Sequence, residues 1–135
     1  MDLSKAMMIS AAGMKAQTVR MRVISENLAN ADSVALSPDQ DPYRRKVVTF
    51  VNELDRELGV QRVKVNDVKF DQSNFGLRYD PGHPAADENG YIKTPNVNSL
   101  VEAIDMKQAQ RSYEANLNAI DVSKNMIMRT IDLLR

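Results

Sequence analysis

The chain predicts a mainly α fold, with long N- and C-terminal helices packed as a coiled-coil-like pair and a small antiparallel β insert between them. Three observations carry that expectation. From Asn96 to Arg135 there is neither Pro nor Gly, and apolar residues return in steps of three and four. Residues 3–28 repeat that spacing. The stretch between them holds all five prolines and the β-branched runs. The resulting division is 1–30 plus 96–135 as a terminal helical core, 31–43 as a linker loop and 44–95 as a β insert.

Taken in order, the first helix spans residues 3–30. Leu3, Met7, Ser10, Met14, Gln17, Met21, Ile24 and Leu28 form a seam for almost four heptads, with two polar slots. Ala11, Ala12 and Gly13 permit close approach of a neighbouring helix, although Gly13 costs about 1 kcal/mol of helix propensity against Ala. Asn27 and Asn30 are placed to end the helix in the left-handed conformation that Asn tolerates. The linker 31–43 carries Pro38, Pro42 and several Asp and Ser residues, too few large apolar groups to pack.

In the insert, Lys46 to Val51 reads as a strand, carried by Val47, Val48, Thr49, Phe50 and Val51. Val60 to Phe70 alternates at Val63 and Val65, then shifts phase to Val68 and Phe70, which predicts a turn or bulge at Asn66-Asp67. Leu77–Tyr79 and Tyr91–Thr94 are short strands. The turns between them are signalled by Asp80-Pro81-Gly82-His83-Pro84 and Asn89-Gly90. The last helix follows Pro95, with Ser99 and Glu102 spaced as a capping box and Asn96 as a second candidate cap. Its main row is Tyr113, Leu117, Ile120, Ile127, Ile131 and Leu134, with Lys124 in the one polar slot. Beside it run Ala115, Ala119, Val122, Met126 and Leu133, which widens the apolar face.

Composition narrows the function. Lys and Arg number 18, as do Asp and Glu, and the charges are spread evenly, which argues against a nucleic-acid partner. There is no Cys, so disulfides, thiol catalysis and cysteine metal sites are excluded. No apolar run is long enough for a transmembrane segment. Ala6 to Ala12 is apolar but is followed by Lys15, Arg20 and Arg22 without a cleavage site, so no cleaved signal peptide is expected. One His, His83, sits in a turn, and no phosphate loop, nucleophile elbow or metal-ligand spacing occurs. No catalytic residue, cofactor, metal or small-molecule substrate is therefore expected, and the chain does not read as an enzyme. Two long apolar faces that cannot fully cover one another mark an interaction surface. Eight Met residues, mostly in the terminal segments, suit packing completed by another subunit.

Particular motifs then point to a family. Ser25-Glu26-Asn27-Leu28-Ala29-Asn30-Ala31-Asp32-Ser33 resembles the N-terminal signature of bacterial flagellar rod and hook proteins. Pro42-Tyr43-Arg44-Arg45-Lys46, Tyr79-Asp80-Pro81-Gly82-His83-Pro84, Asn89-Gly90-Tyr91 and Pro95-Asn96-Val97-Asn98 are similar to the proximal rod subunit within that family. Arg111-Ser112-Tyr113-Glu114-Ala115-Asn116 resembles its C-terminal helix motif. The wider family often carries Gly shortly after the second Asn, whereas Ser33-Val34-Ala35-Leu36 has none. The resemblance implies a structural subunit of the basal-body rod, the drive shaft crossing the periplasm, exported by the flagellar type III apparatus. Its implied partners are copies of itself, neighbouring rod proteins and base components. The rival expectation is a cytoplasmic coiled-coil adaptor or export chaperone. In the rod reading, the seam residues named above form the assembly interface. Arg44, Arg45 and Lys46 would then pin the linker to acidic residues of an adjacent copy, such as Asp39, Asp41, Glu53 or Asp55.

Overall fold

A computed structural model describes residues 2–134. The order is α1 (Leu3–Ala29), β1 (Lys46–Asp55), β2 (Val60–Phe70), β3 (Gly76–Tyr79), β4 (Tyr91–Thr94) and α2 (Ser99–Leu133). The helix–sheet–helix order agrees with expectation, but "mainly α" is too strong, because the two helices make up just under half of the chain. The insert is two separate two-stranded sheets, β1–β2 and β3–β4.

Local chemistry sets each boundary. Asp2 caps α1: its carboxylate accepts from the Ser4 N–H at 3.0 Å and its carbonyl from the Ala6 N–H at 3.1 Å. The helix does not end through a left-handed Asn, since among the described residues only Gly59 and Gly90 have positive φ. Instead the Asn30 N–H and its side-chain amide both donate to the Glu26 carbonyl, at 3.1 and 2.9 Å. The last turn's orphan acceptor is thus satisfied without strain. The cap of α2 is neither Ser99 nor Asn96 but Asn98, whose Oδ1 accepts from the Leu100 and Val101 N–H groups at 3.1 and 3.3 Å. The linker is closed at its neck, with the Tyr43 N–H donating to the Ser33 carbonyl at 3.1 Å.

β1 and β2 are joined by residues 56–59 and so run antiparallel. Asp55 accepts from the Glu57 and Leu58 N–H groups, and Gly59 takes the left-handed conformation that the turn demands, at φ 66°. β2 is continuous through Asn66-Asp67; no turn forms there. The phase shift only turns Val68 and Phe70 to solvent. β3 pairs antiparallel with β4 from Gly76↔Thr94 to Tyr79↔Tyr91, where the two rings meet edge-on with centroids 5.3 Å apart. Gly90, at φ 80°, leaves room beneath Tyr79, whose Cε2 would lie 2.9 Å from an added Cβ.

The chain forms two compact units. One contains residues 2–21, 48–67 and 107–134; its buried residues include Gly13, Ala16, Ala109 and Ser123. The other contains residues 22–47 and 68–106; its buried apolar residues include Val23, Ile24, Ala85 and Ile92, and Asn27 and Glu102 are buried with them.

Candidate functional site

Asn27 is the centre of a buried polar cluster. Its Oδ1 accepts from the Tyr43 hydroxyl and the Lys46 N–H, both at 2.9 Å. Its Nδ2 donates to the Lys46 carbonyl at 2.8 Å and to Glu102 Oε2 at 3.2 Å. All four hydrogen-bonding positions of the amide are therefore used, which is what a fully buried Asn requires. Arg45 closes the cluster by donating from Nε to Glu102 Oε1, while its terminal nitrogens lie 3.3 Å from Asp71 and 3.9 Å from Asp105. Burial works against the Arg45 charge, but the hydrogen bond and charge of Glu102, then those of Asp71, outweigh it and raise its pKa. Asp71 is held below the usual carboxylate range, first by the Ser73 N–H and hydroxyl and then by Arg45. Burial pushes the Tyr43 hydroxyl up, and the Glu26 hydrogen bond and charge raise Lys46.

Arg44 lies beside this cluster. It donates to the Asp71 and Ser73 carbonyls at 2.9 and 3.2 Å and stacks 4.2 Å above the Phe75 ring. Asn96 completes the frame, accepting from the Arg45 N–H at 2.8 Å and donating to Asp71 and Ser73. This corrects the expected pin to a neighbouring copy. Arg44 and Arg45 hold their own chain, and Lys46 pairs with its own Glu26 at 2.9 Å. The acids expected to receive them are also engaged within the chain, Asp41 by Lys93, Glu53 by Lys64 and Asp55 by Arg62.

The other unit is built on close approach. A Cβ on Gly13 would lie 2.9 Å from Asn116 Nδ2, so α1 and α2 approach at a point where only a hydrogen fits. Arg20 reaches Gln108 at 3.5 Å, so the two helices run antiparallel in this unit. The inward face of α2 here carries a small and polar row, Ala109, Asn116 and Ser123, seven residues apart, with the half-buried Tyr113, Ile120 and Ile127 beside it. Large apolar side chains are left outside. Leu117 is 41% exposed, Val122 52%, Met126 50% and Leu133 87%.

The expected site residues divide accordingly. Ile24 is buried, and Leu3, Met7, Met14, Met21 and Leu28 are half-buried one position off the row of Gly13, Ala16 and Val23. Tyr113, Ile120 and Ile127 are half-buried, whereas Leu117, Ile131 and Leu134 are exposed. Of the motif residues, Asn27, Tyr43, Arg44 and Arg45 meet in the polar cluster, Pro42 is buried beside Tyr43 in the chain, and Asn30 ends α1. Asp80, Pro81, Gly82, His83 and Pro84 form the β3–β4 turn. There His83 Nδ1 accepts from the Ala85 N–H at 3.0 Å and the Asp80 carbonyl accepts from the His83 N–H. Sequence reasoning missed Glu102 and Asp71 as partners of Arg45. The one signal for Glu102 was its place in the heptad row with Ala109, Asn116 and Ser123.

Among the described residues no group of three or more His, Asp or Glu could hold a metal ion, and no helix is long and apolar enough to cross a membrane. The polar cluster fixes the C-terminal end of α1 and the N-terminal end of α2.

Residues 88–133 match the family described as flagellar basal body rod FlgEFG protein C-terminal. The chain is 51% identical to the flagellar basal-body rod protein FlgC of Agrobacterium fabrum, over 98% of this chain and 96% of that one. It is 41% identical to FlgC of Salmonella typhimurium, covering 93% and 92% of the two chains. It is also 41% identical to FlgC of Aquifex aeolicus, covering 98% and 97%.

Proposed function

Because this chain belongs to the FlgC family of flagellar basal-body rod proteins, we propose that it is a structural subunit of the rod that assembles through the outer faces of its terminal helices. It is a structural protein and not an enzyme. The observation that carries the assembly reading is the band of large apolar side chains along the second half of α2, left exposed while the small row faces inward. Large apolar side chains exposed in this number along one helix mark an interaction surface. Its partners are further copies of the chain and neighbouring rod and base proteins, and the seam residues at Leu3, Met7, Met14, Met21, Tyr113, Ile120 and Ile127 border that interface. The two helices then complete a coiled-coil-like layer with those of adjacent subunits, and the rod transmits torque across the periplasm. Export through the flagellar type III apparatus, without a cleaved signal, fits this reading. Nothing in the relatives supports the adaptor or chaperone alternative.

The test separates folding from assembly. Ile131→Asp with Leu133→Asp places two charges on exposed positions, where substitutions change stability within about 0.5 kcal/mol. The purified variant is expected to melt with the parent protein, while cells carrying it build no rod and do not swim. Normal swimming would sink the assembly reading.

A further inference from the structure

α1 turns a single row of side chains to solvent along most of its length. Ser4, Met8, Ala11, Lys15, Thr18 and Arg22 are all exposed, in alternating steps of four and three. α2 exposes a row with the same steps, Glu114, Asn118, Asp121, Asn125, Met128 and Asp132. Among the described residues Lys15, Arg22, Glu114 and Asp121 form no ion pair, although Arg111 and Lys124 stand three places from the two acids. Two cations seven residues apart on one helix and two anions seven residues apart on the other are thus left without partners.

The rows match when they run in opposite directions. Lys15 falls on Asp121 and Arg22 on Glu114, while Met8 meets Met128. Ala11 and Thr18, both short, fall on Asn125 and Asn118, and Ser4 on Asp132. The flanking cations Arg111, Lys124 and Arg129 come level with Ser25, Ala12 and Met7, so none of them faces a like charge. A parallel pairing of the same four charges fails, because it sets Met8 against Lys107 and Thr18 against Leu117. Rows with heptad spacing stay in contact over roughly 27 Å when two helices cross at about 20°. Met8, Ala11 and Lys15 also face β2 across a cleft, but its rim cations Arg62 and Lys64 are held by Asp55 and Glu53 and take no part.

This match is not made within one chain. There Gly13 lies against Asn116 and Arg20 bonds Gln108, which uses the buried face of α1 and a register one heptad away. We propose that the exposed row of α1 docks antiparallel on the exposed row of α2 from a second copy of this chain, with Lys15 on Asp121 and Arg22 on Glu114. The inference rests on the rod-subunit reading and names which faces meet and in what register. The two helices are antiparallel within the chain, so copies stacked with one polarity present these rows in the orientation the match requires. Each copy is displaced from the last by one heptad, about 10 Å. Because two different patches meet, the contact propagates instead of closing a dimer. Charge pairs of this kind fix partner and register more than they add affinity.

The test exchanges charges between copies. Lys15→Glu with Arg22→Glu, and Glu114→Lys with Asp121→Lys, change exposed positions, and each purified variant is expected to melt with the parent. Cells carrying either variant alone are expected not to swim, because every contact then opposes like charges. Cells carrying both variants as separate copies are expected to swim again, since alternating copies restore opposite signs at every contact. Normal swimming with either variant alone, or no recovery with the folded pair, overturns the proposal and leaves the rod reading intact.

A second measurement keeps the native charges. The chain has no Cys, so Ala11→Cys and Asn125→Cys on separate copies, oxidised in cells, report the register on a clean background. Their adduct is expected to be several-fold stronger than that of Ala11→Cys with Asn118→Cys, one heptad out of register. Equal adducts, no adduct in swimming cells, or an adduct with a different rod protein in place of this one each overturn the proposal. Cells deleted for the chain that still build a complete rod would remove the rod reading itself, whatever the cross-links show.

Discussion

The two compact units bury different things. Around Asn27 and Glu102, the chain encloses an amide, a carboxylate and most of a guanidinium, each with its partners supplied, alongside a fully buried Ile92. Around Gly13 and Asn116, the fully buried side chains are small, Tyr113, Ile120 and Ile127 are only half-buried, and Val122, Met126, Leu133 and Leu134 are left in solvent. The first arrangement specifies a local structure within one chain, because a half-satisfied polar cluster costs more than an apolar one and tolerates few alternatives. The second leaves its largest apolar side chains exposed.

The comparison is broken most severely by Arg45→Ala. Glu102 would keep Asn27 but lose the cation paired with it, and stranding a buried charge in this way costs about 3–5 kcal/mol. Urea denaturation is expected to show that loss. A change below about 1 kcal/mol would mean the cluster is ornamental to folding.

Next comes a matched pair of truncations. Ile92→Ala, at a fully buried position, is expected to cost about 2–4 kcal/mol, whereas Ile131→Ala, half exposed, should stay within about 0.5 kcal/mol in the free subunit. Equal losses by thermal unfolding would erase the distinction between the two units.

A smaller effect is set by pH. The folded state holds the Asp71 carboxyl below its ordinary value of 3.8, so it favours the ionised form. The stability this contributes is present above that value and is lost as pH falls through the lower folded value. Urea midpoints followed downward from pH 5 should therefore fall less steeply in Asp71→Asn than in the parent. Parallel curves would remove Asp71 from the cluster's energetics.

Much of this was legible in the sequence, for reasons that are local. Helix extents followed from the spacing of apolar residues and the Pro95 break, and the β3–β4 hairpin from Asp80-Pro81-Gly82 and Asn89-Gly90. The inward face of α2 was only partly legible: hydrophobic periodicity finds the most apolar row, which includes the half-buried Tyr113, Ile120 and Ile127 but also the exposed Leu117. The inner row of Glu102, Ala109, Asn116 and Ser123 is small and polar, and it is covered because close helix approach rewards small side chains and an Arg 57 places away neutralises the acid. No periodicity carries the pairing of Arg45 with Glu102. The left-handed end assigned to Asn30 failed for a similar reason: its side chain found a carbonyl at Glu26 first.

The finest test of the comparison is Gly13→Ala, where two effects of similar size oppose each other. Alanine in a helix interior gains about 1 kcal/mol over glycine. The added methyl meets Asn116, with Nδ2 at 2.9 Å, Oδ1 at 3.0 Å and Cγ at 3.1 Å, so the amide has to move. That amide donates to the Ser112 carbonyl at 2.8 Å, and displacing it forfeits a hydrogen bond worth about 0.5–1.5 kcal/mol. The single substitution is therefore expected to leave stability within about 1 kcal/mol of the parent. Asn116→Ala removes the obstruction, and in that background Gly13→Ala should stabilise by close to the full propensity gain. The difference between backgrounds, read from a double-mutant cycle, is the coupling across the narrow contact. A cycle that closes with no coupling would mean that the helices do not approach at Gly13, and that the large apolar side chains on α2 stand outside for some reason other than a small-residue seam.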